Sequence, residues 1–252
     1  MASGFLDVPT SETRISLGPV KLPILYADGG SLVAFFWVDP GRAARRLGDT
    51  GLVPARFPGG RALLGLAFYD YRDTAIGPYH EVGSALAVRP AGAEASMLDL
   101  LRPASRRRVG FHILDLPVSS AIADAAGREI WGYPKFVTEL PQRFEPGTFS
   151  GAVMAPGGGE ILRLEGRASW LVPMPALDLV LYSHLGGRLL RTVVEVRAPT
   201  RIAGGGGFRL ALGNGHRMAG ALRDLGLDGG RPFAVARCDQ GFQARLHAGS
   251  PA

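Results

Sequence analysis

The sequence predicts a mainly β fold of the α+β class: one predominantly antiparallel β domain with a few short helices. Three observations lead there. Apolar residues gather in short runs, such as SLVAFFWV (31–38), RALLGLAFYDY (61–71) and GGRLLRTVVEV (186–196), which are strand-length and rich in aromatic and β-branched side chains. With 36 Gly and 19 Pro, turns are frequent and long helices have little room. No repeat and no linker-like stretch divides the 252 residues, and 46% hydrophobic content suffices for a sizeable core, so 1–252 reads as a single domain.

Residues 1–20 read as an N-terminal arm. Strands follow at 22–25 and 31–38, with Asp28-Gly29-Gly30 as a turn between them. The run LVAFFWV is continuously apolar, so both of its faces are expected to be buried. Asp39 and Pro40 have the chemistry of an N-cap and first residue for a short helix over 41–47. Its arginines Arg42, Arg45 and Arg46 are expected to be exposed. Strands are predicted at 61–71 and 79–89. Along the second, Tyr79, Glu81, Gly83, Ala85 and Ala87 share one face, and His80 points away from Glu81.

Residues 91–101 read as a short helix or an irregular loop, and 109–116 as a strand. Ser119 or Ser120 caps a helix that Gly127 ends, leaving Arg128 and Glu129 just past it. Glu129 or Asp124 would pair with Arg128. Lys135 follows on an extended segment. Beyond Thr138 the pattern is hairpins: 139–144, 148–154, 160–169, 186–196 and 208–215. PGGGE (156–160) is a turn and the four glycines of 203–208 a flexible connector. A last helix is expected at 217–225, a strand at 233–238 and a loose tail at 249–252.

Several functions are disfavoured. The net charge is +6 with pI about 10.0, but the arginines are scattered among acids, and only Arg106-Arg107-Arg108 forms a run of three; no nucleic-acid partner is expected. There is no apolar stretch long enough for a transmembrane helix and no secretory signal pattern, so the expectation is a cytoplasmic protein without a membrane partner. The lone Cys238 excludes an intrachain disulfide and suits a small core residue. The histidines are widely separated, without HxH or HExxH spacing, GxSxG is missing, and no glycine stretch has dinucleotide or phosphate-loop context.

What stands out is an economy of lysine. Only two of the 28 basic residues are lysines, Lys21 and Lys135. A chain that writes nearly every cation as Arg keeps Lys where Arg cannot serve, and amine nucleophilicity is such a place. Ile130, Trp131, Tyr133, Phe136 and Val137 surround Lys135 with apolar and aromatic surface, and Pro134 fixes the backbone before it. Burial among such groups disfavours an ammonium. The alternative is a snorkelling lysine on a strand edge.

The stretch GREIWGYPKF, Gly127 to Phe136, resembles the G-R-E-x-x-x-(Y/F)-P-K-K signature of acetoacetate decarboxylases. GPYHEVGSALAV (77–88) is similar to the family's glutamate-bearing strand. The resemblance implies a cone-like β-barrel enclosing a pocket, a homo-oligomer, no metal or organic cofactor, Lys135 as the Schiff-base residue and Glu81 as acid/base. Tyr79, Tyr133, Trp131, Phe136 and Arg128 would bind the substrate. The motif's second lysine is here Phe136. The family's early arginine aligns near Gly29 and a second glutamate near Leu66, so acetoacetate itself is not the expected substrate.

These residues lead to an expected carbonyl-acting lyase. A protonated imine is an electron sink that serves decarboxylation, aldol or retro-aldol chemistry and dehydration, with Glu81 moving the protons. Two rivals stand beside it. An inert small-molecule binder would keep its ligand in Lys135→Ala. A cyclase acting by pocket shape would keep making product in Lys135→Met.

Overall fold

In a computed structural model of the chain, residues 4–93, 99, 102–168 and 172–252 are described. The reading of 91–101 as helix or loop falls largely outside them. A hairpin of β1 (Ser11–Ile15) and β2 (Gly18–Leu22) leads into the long β3 (Ile24–Val38). Helix α1 (Pro40–Leu47) and the short β4 (Leu52–Pro54) precede β5 (Ala62–Thr74) and β6 (Tyr79–Pro90). Then come β7 (Gly110–Val118), α2 (Ala121–Trp131) and β8 (Lys135–Val137). The remainder comprises β9 (Gln142–Glu145), β10 (Thr148–Met154), β11 (Glu160–Arg167), β12 (Val172–Pro173), β13 (Leu179–Leu185) and β14 (Arg188–Arg197). It ends with β15 (Arg201–Gly204), β16 (Phe208–Leu212), α3 (Arg217–Asp224), β17 (Ala234–Cys238), β18 (Gln243–Leu246) and β19 (Ser250–Pro251).

Seven strands close on themselves in the order β3-β5-β6-β7-β13-β14-β18 and back to β3. Only the β7–β13 seam of this barrel is parallel. The short β8 adds a second parallel pair by lying beside β7. Closure removes free sheet edges, which would otherwise present unpaired backbone groups. A four-stranded sheet, β16-β11-β10-β9, covers part of the barrel's outside.

The main core lies between these two layers rather than inside the barrel. Leu32, Ala34 and Phe36 of β3 and Leu64, Leu66 and Phe68 of β5 meet Phe149, Leu162, Leu164 and Phe208 of the second sheet. Met218 and Leu222 of α3 complete it. The alternate residues Val33 and Phe35 face the barrel interior. Hence LVAFFWV is apolar throughout: one face meets the outer layer, the other a cavity.

The two layers are also joined by a buried cation. Arg237, 4% exposed, donates to Asp239 Oδ1 at 2.5 Å and to the carbonyls of Thr148 and Glu145, both at 2.7 Å.

Several expectations are corrected. Residues 11–22 form a hairpin whose Ile15, Val20 and Leu22 are buried, because an alternating pattern gives it one apolar face. Asp28-Gly29-Gly30 is no turn; β3 runs through it with a register irregularity, and Gly29 lets Asp70's carbonyl approach to where a side chain would stand. Helix α2 passes through Gly127 and ends at Gly132, whose left-handed φ of 67° makes it the true cap. Arg128 and Glu129 are therefore helical. The glycines of 203–208 form β15 and a tight turn, with Gly205 and Gly207 pressed against the backbone of Pro232 and Arg167. The tail pairs with β14 through β19. Strands β13 and β18, which close the barrel, went unread. Among the described residues, no helix is long and apolar enough to cross a membrane.

Candidate active site

The site begins with strand register. β6 alternates, so Glu81, Gly83, Ala85 and Ala87 face the barrel interior, while His80 turns out to Asp70 and the Leu140 carbonyl. β7 brings β8 alongside, with Leu116 opposite Lys135. The turn after α2 fixes where β8 starts: Tyr133 N–H donates to Gly127 O, and Lys135 N–H to Tyr133 O. Lys135 thus enters the barrel wall directly over Gly127 of the helix. A β-carbon there would overlap the lysine's Cδ and Cε.

Inside, Lys135 Nζ donates to Glu81 Oε2 at 2.7 Å. The two side chains are 6% and 10% exposed, so the pair is shielded from solvent. It lies on the wall of an interior cavity of about 350 Å³, within the usual range for small-molecule sites. Most of the wall is apolar. Its charged residues, among those described, are Glu81, Lys135, Arg107 and Asp178.

Five of the six tyrosines gather at this end. Tyr26 and Tyr79 join hydroxyls at 3.0 Å. Tyr71 packs on Tyr26, Tyr69 and Tyr79 with ring centroids 4.5, 5.1 and 4.9 Å away. The Lys135 nitrogen is 5.8 Å from the Tyr79 ring centre. Burial raises the phenols of Tyr26, Tyr69, Tyr71, Tyr79 and Tyr133, and the charge of Glu81 adds to it in each case. They are neutral hydrogen-bond donors at physiological pH.

Of the residues predicted for the site, the structure brings together Lys135, Glu81, Tyr79 and Tyr133. Trp131 stands one layer back: it is buried, stacks on Tyr133 at 5.8 Å, and donates its indole N–H to His247 O at 2.9 Å. Phe136 alternates away from Lys135 and packs on His216 at 5.3 Å. Arg128 is 63% exposed and pairs with Asp124 at 3.8 Å. Glu129, the other charged residue of the motif, binds the backbone N–H and hydroxyl of Ser16 and so ties α2 to the first hairpin.

Tyr26, Tyr69, Tyr71 and Arg107 were missed. The alternation of Tyr69 and Tyr71 in AFYDY placed both on one strand face, which was the available signal. Arg107 is buried and donates to the carbonyls of Asp178 and Arg102. It fixes the segment before β13 to the segment before β7.

A family model described as acetoacetate decarboxylase (ADC) matches residues 8–198, which hold the glutamate strand, helix α2 and the lysine. The chain belongs to the acetoacetate decarboxylase family. Solved structures share its fold at low identity. A structure described as acetoacetate decarboxylase superposes with TM-score 0.68 at 15% identity, covering 91% of this chain and 89% of that one. The acetoacetate decarboxylase of Legionella pneumophila gives 0.67 at 15%, covering 99% and 93%. The enduracididine biosynthesis enzyme MppR gives 0.65 at 18%, covering 91% and 88%. No protein of curated function matches the sequence significantly.

Against the decarboxylase motif this member departs as its sequence says. The position of the second lysine holds Phe136, which faces outward. Leu66 lies in the outer core, while its neighbours Gly65 and Ala67 face the cavity without a carboxylate.

Proposed function

We propose that the protein is a cofactor-independent lyase that forms a Schiff base between Lys135 and a keto or aldehyde substrate. The observation that carries this reading is the Lys135–Glu81 hydrogen bond of 2.7 Å on the wall of an apolar cavity. One proton moved along that bond yields a neutral amine and a neutral carboxylic acid. The amine attacks the carbonyl carbon, and a proton shift gives the carbinolamine. Glu81 then protonates the departing oxygen, water leaves, and an iminium faces a restored carboxylate. That carboxylate is placed to take a proton from the adjacent carbon, giving an enamine.

Aldol, retro-aldol or dehydration chemistry suits the site better than decarboxylation of acetoacetate. No cation besides Lys135 lines the reactive end to hold a substrate carboxylate, among the described residues. A structure of MppR contains the condensation product of pyruvate and imidazole 4-carboxaldehyde. By analogy, a site that joins two carbonyl compounds is compatible with this scaffold.

The test is reductive trapping. Candidate carbonyl compounds are incubated with the protein and a hydride donor, and the adduct is mapped by mass spectrometry. An adduct at Lys135 that disappears in Lys135→Arg supports the reading. Equal adduct formation in Glu81→Gln would remove Glu81 from it.

A further inference from the structure

The cavity extends well beyond its reactive end. Lys135, Glu81, Tyr69 and Tyr71 sit together at one end, while Ala87 also lines the wall six residues along β6 from Glu81. At roughly 3.3 Å per residue, that is about 20 Å of strand. Between them, the inward residues of the central strand pair are all small. Gly83 lies opposite Ala67 and Ala85 opposite Gly65.

The two glycines are not demanded by the fold. Neither has a positive φ. A β-carbon on Gly65 would find its nearest neighbour 3.8 Å away, an ordinary contact. One on Gly83 would meet only Leu116 Cδ1, the end of a flexible side chain, at 3.0 Å. Glycine inside a strand weakens it, and it often marks close approach of another group. Among the described residues, the space beside Gly65 is bordered by Phe111, Val33 and Phe35 at ordinary contact distance, and that beside Gly83 by the tip of Leu116. Val33, Phe35 and Ile113 supply apolar walls to the same cavity.

We propose that this space holds the tail of the substrate: a carbonyl compound with a long unbranched apolar chain. Its carbonyl carbon meets Lys135, and its chain lies over Gly83 and Gly65. The proposal rests on Lys135 being the nucleophile and adds the substrate class. Each methylene moved from water into such a channel strengthens binding about fourfold.

The experiment compares decanal with propanal in cyanoborohydride trapping on the full chain. The hydride adds to the imine carbon, turning C=N into a stable secondary amine. Lys21 lies on an exposed position of β2 and serves as the internal reference. Expected is half-maximal labelling of Lys135 by decanal at a concentration at least about 10²-fold below that for propanal, with little difference at Lys21. Gly65→Leu should collapse this preference toward the Lys21 ratio. If that variant does not fold, Gly65→Val, β-branched and suited to a strand, replaces it. Similar labelling of Lys135 by both aldehydes, or a decanal preference that survives the Gly65 variant, overturns the tail channel while leaving the nucleophile standing. Absence of any Lys135 label with either aldehyde overturns the nucleophile and the channel with it.

Discussion

Gly127 and Lys135 compete for the same space. The helix presents a residue without a side chain, and the aliphatic stem of the lysine lies in the gap. The first glycine of the GREIWGYPKF stretch is thus small for the lysine's sake and not to end the helix. Gly127→Ala should favour the helix intrinsically by about 1 kcal/mol. Yet its methyl must push the lysine aside. A displacement of order 1 Å can cost about 10²-fold in rate. The expected outcome is a folded variant whose trapping rate at Lys135 falls about that much, checked by circular dichroism and timed mass spectrometry. An unchanged rate would mean that the lysine's aim does not depend on this contact.

The ion pair makes its own stability prediction. Lys135→Met leaves Glu81 buried without its partner, which should cost about 3–5 kcal/mol. Adding Glu81→Gln should recover much of that loss, because the uncompensated charge is then gone. Urea midpoints of the two singles and the double variant test this. A double variant as unstable as Lys135→Met would show that packing, not charge, dominates.

A second buried carboxyl sets a pH dependence. Asp115 on β7 is fully buried, and burial raises it from 3.8 to about 6, against the opposing pull of Arg217 and Arg46. Arg217 Nη1 lies 2.6 Å from Asp115 Oδ1 but is not aligned as a hydrogen bond. The folded state therefore holds a proton that the unfolded state releases between about pH 4 and 6. Stability contributed by this group is present at low pH and lost as pH rises through about 6. A rise from 3.8 to about 6 corresponds to at most about 3 kcal/mol. Asp115→Asn should flatten that part of the stability curve relative to the parent. Identical slopes from pH 4 to 7 would exclude it.

Arg237 predicts a different failure. Two of its donors hold β17 to the β9–β10 hairpin, and the third is held by Asp239 just past the strand. Arg237→Met should cost about 2–3 kcal/mol by taking the donor from two carbonyls, while the half-exposed Asp239 carboxylate returns to water. Arg237→Lys should rescue it only in part, since an ammonium lacks the planar fork. Chemical denaturation measures both. A fully stable lysine variant would refute the forked arrangement.

Much of this was legible in the sequence, for identifiable reasons. Alternation alone placed Glu81 with Gly83, Ala85 and Ala87 and turned His80 away, because a strand's period is fixed. The lysine count left two candidates, Lys21 and Lys135, and the apolar neighbours and the GREIWGYPKF resemblance chose between them. What failed was local punctuation. Gly29 and Gly127 looked like a turn and a helix end, but both are small because something else must pass close by. Sequence distance hides such a reason. The same limit concealed Tyr26, which reaches the site only because β3 and β6 both join the barrel wall. Trp131 and Phe136 flank the lysine in sequence, yet the helix and the strand alternation send them elsewhere.

The bond between Ser16 and Glu129 reaches further than its exposed position suggests. Ser16 occupies the bend of the opening hairpin, and Glu129 lies two residues from the glycine under the lysine stem. The first hairpin thus acts as a brace, bearing on the lysine amine from outside the chamber. Trimming it would slacken the helix before it disturbed a residue of the cavity wall.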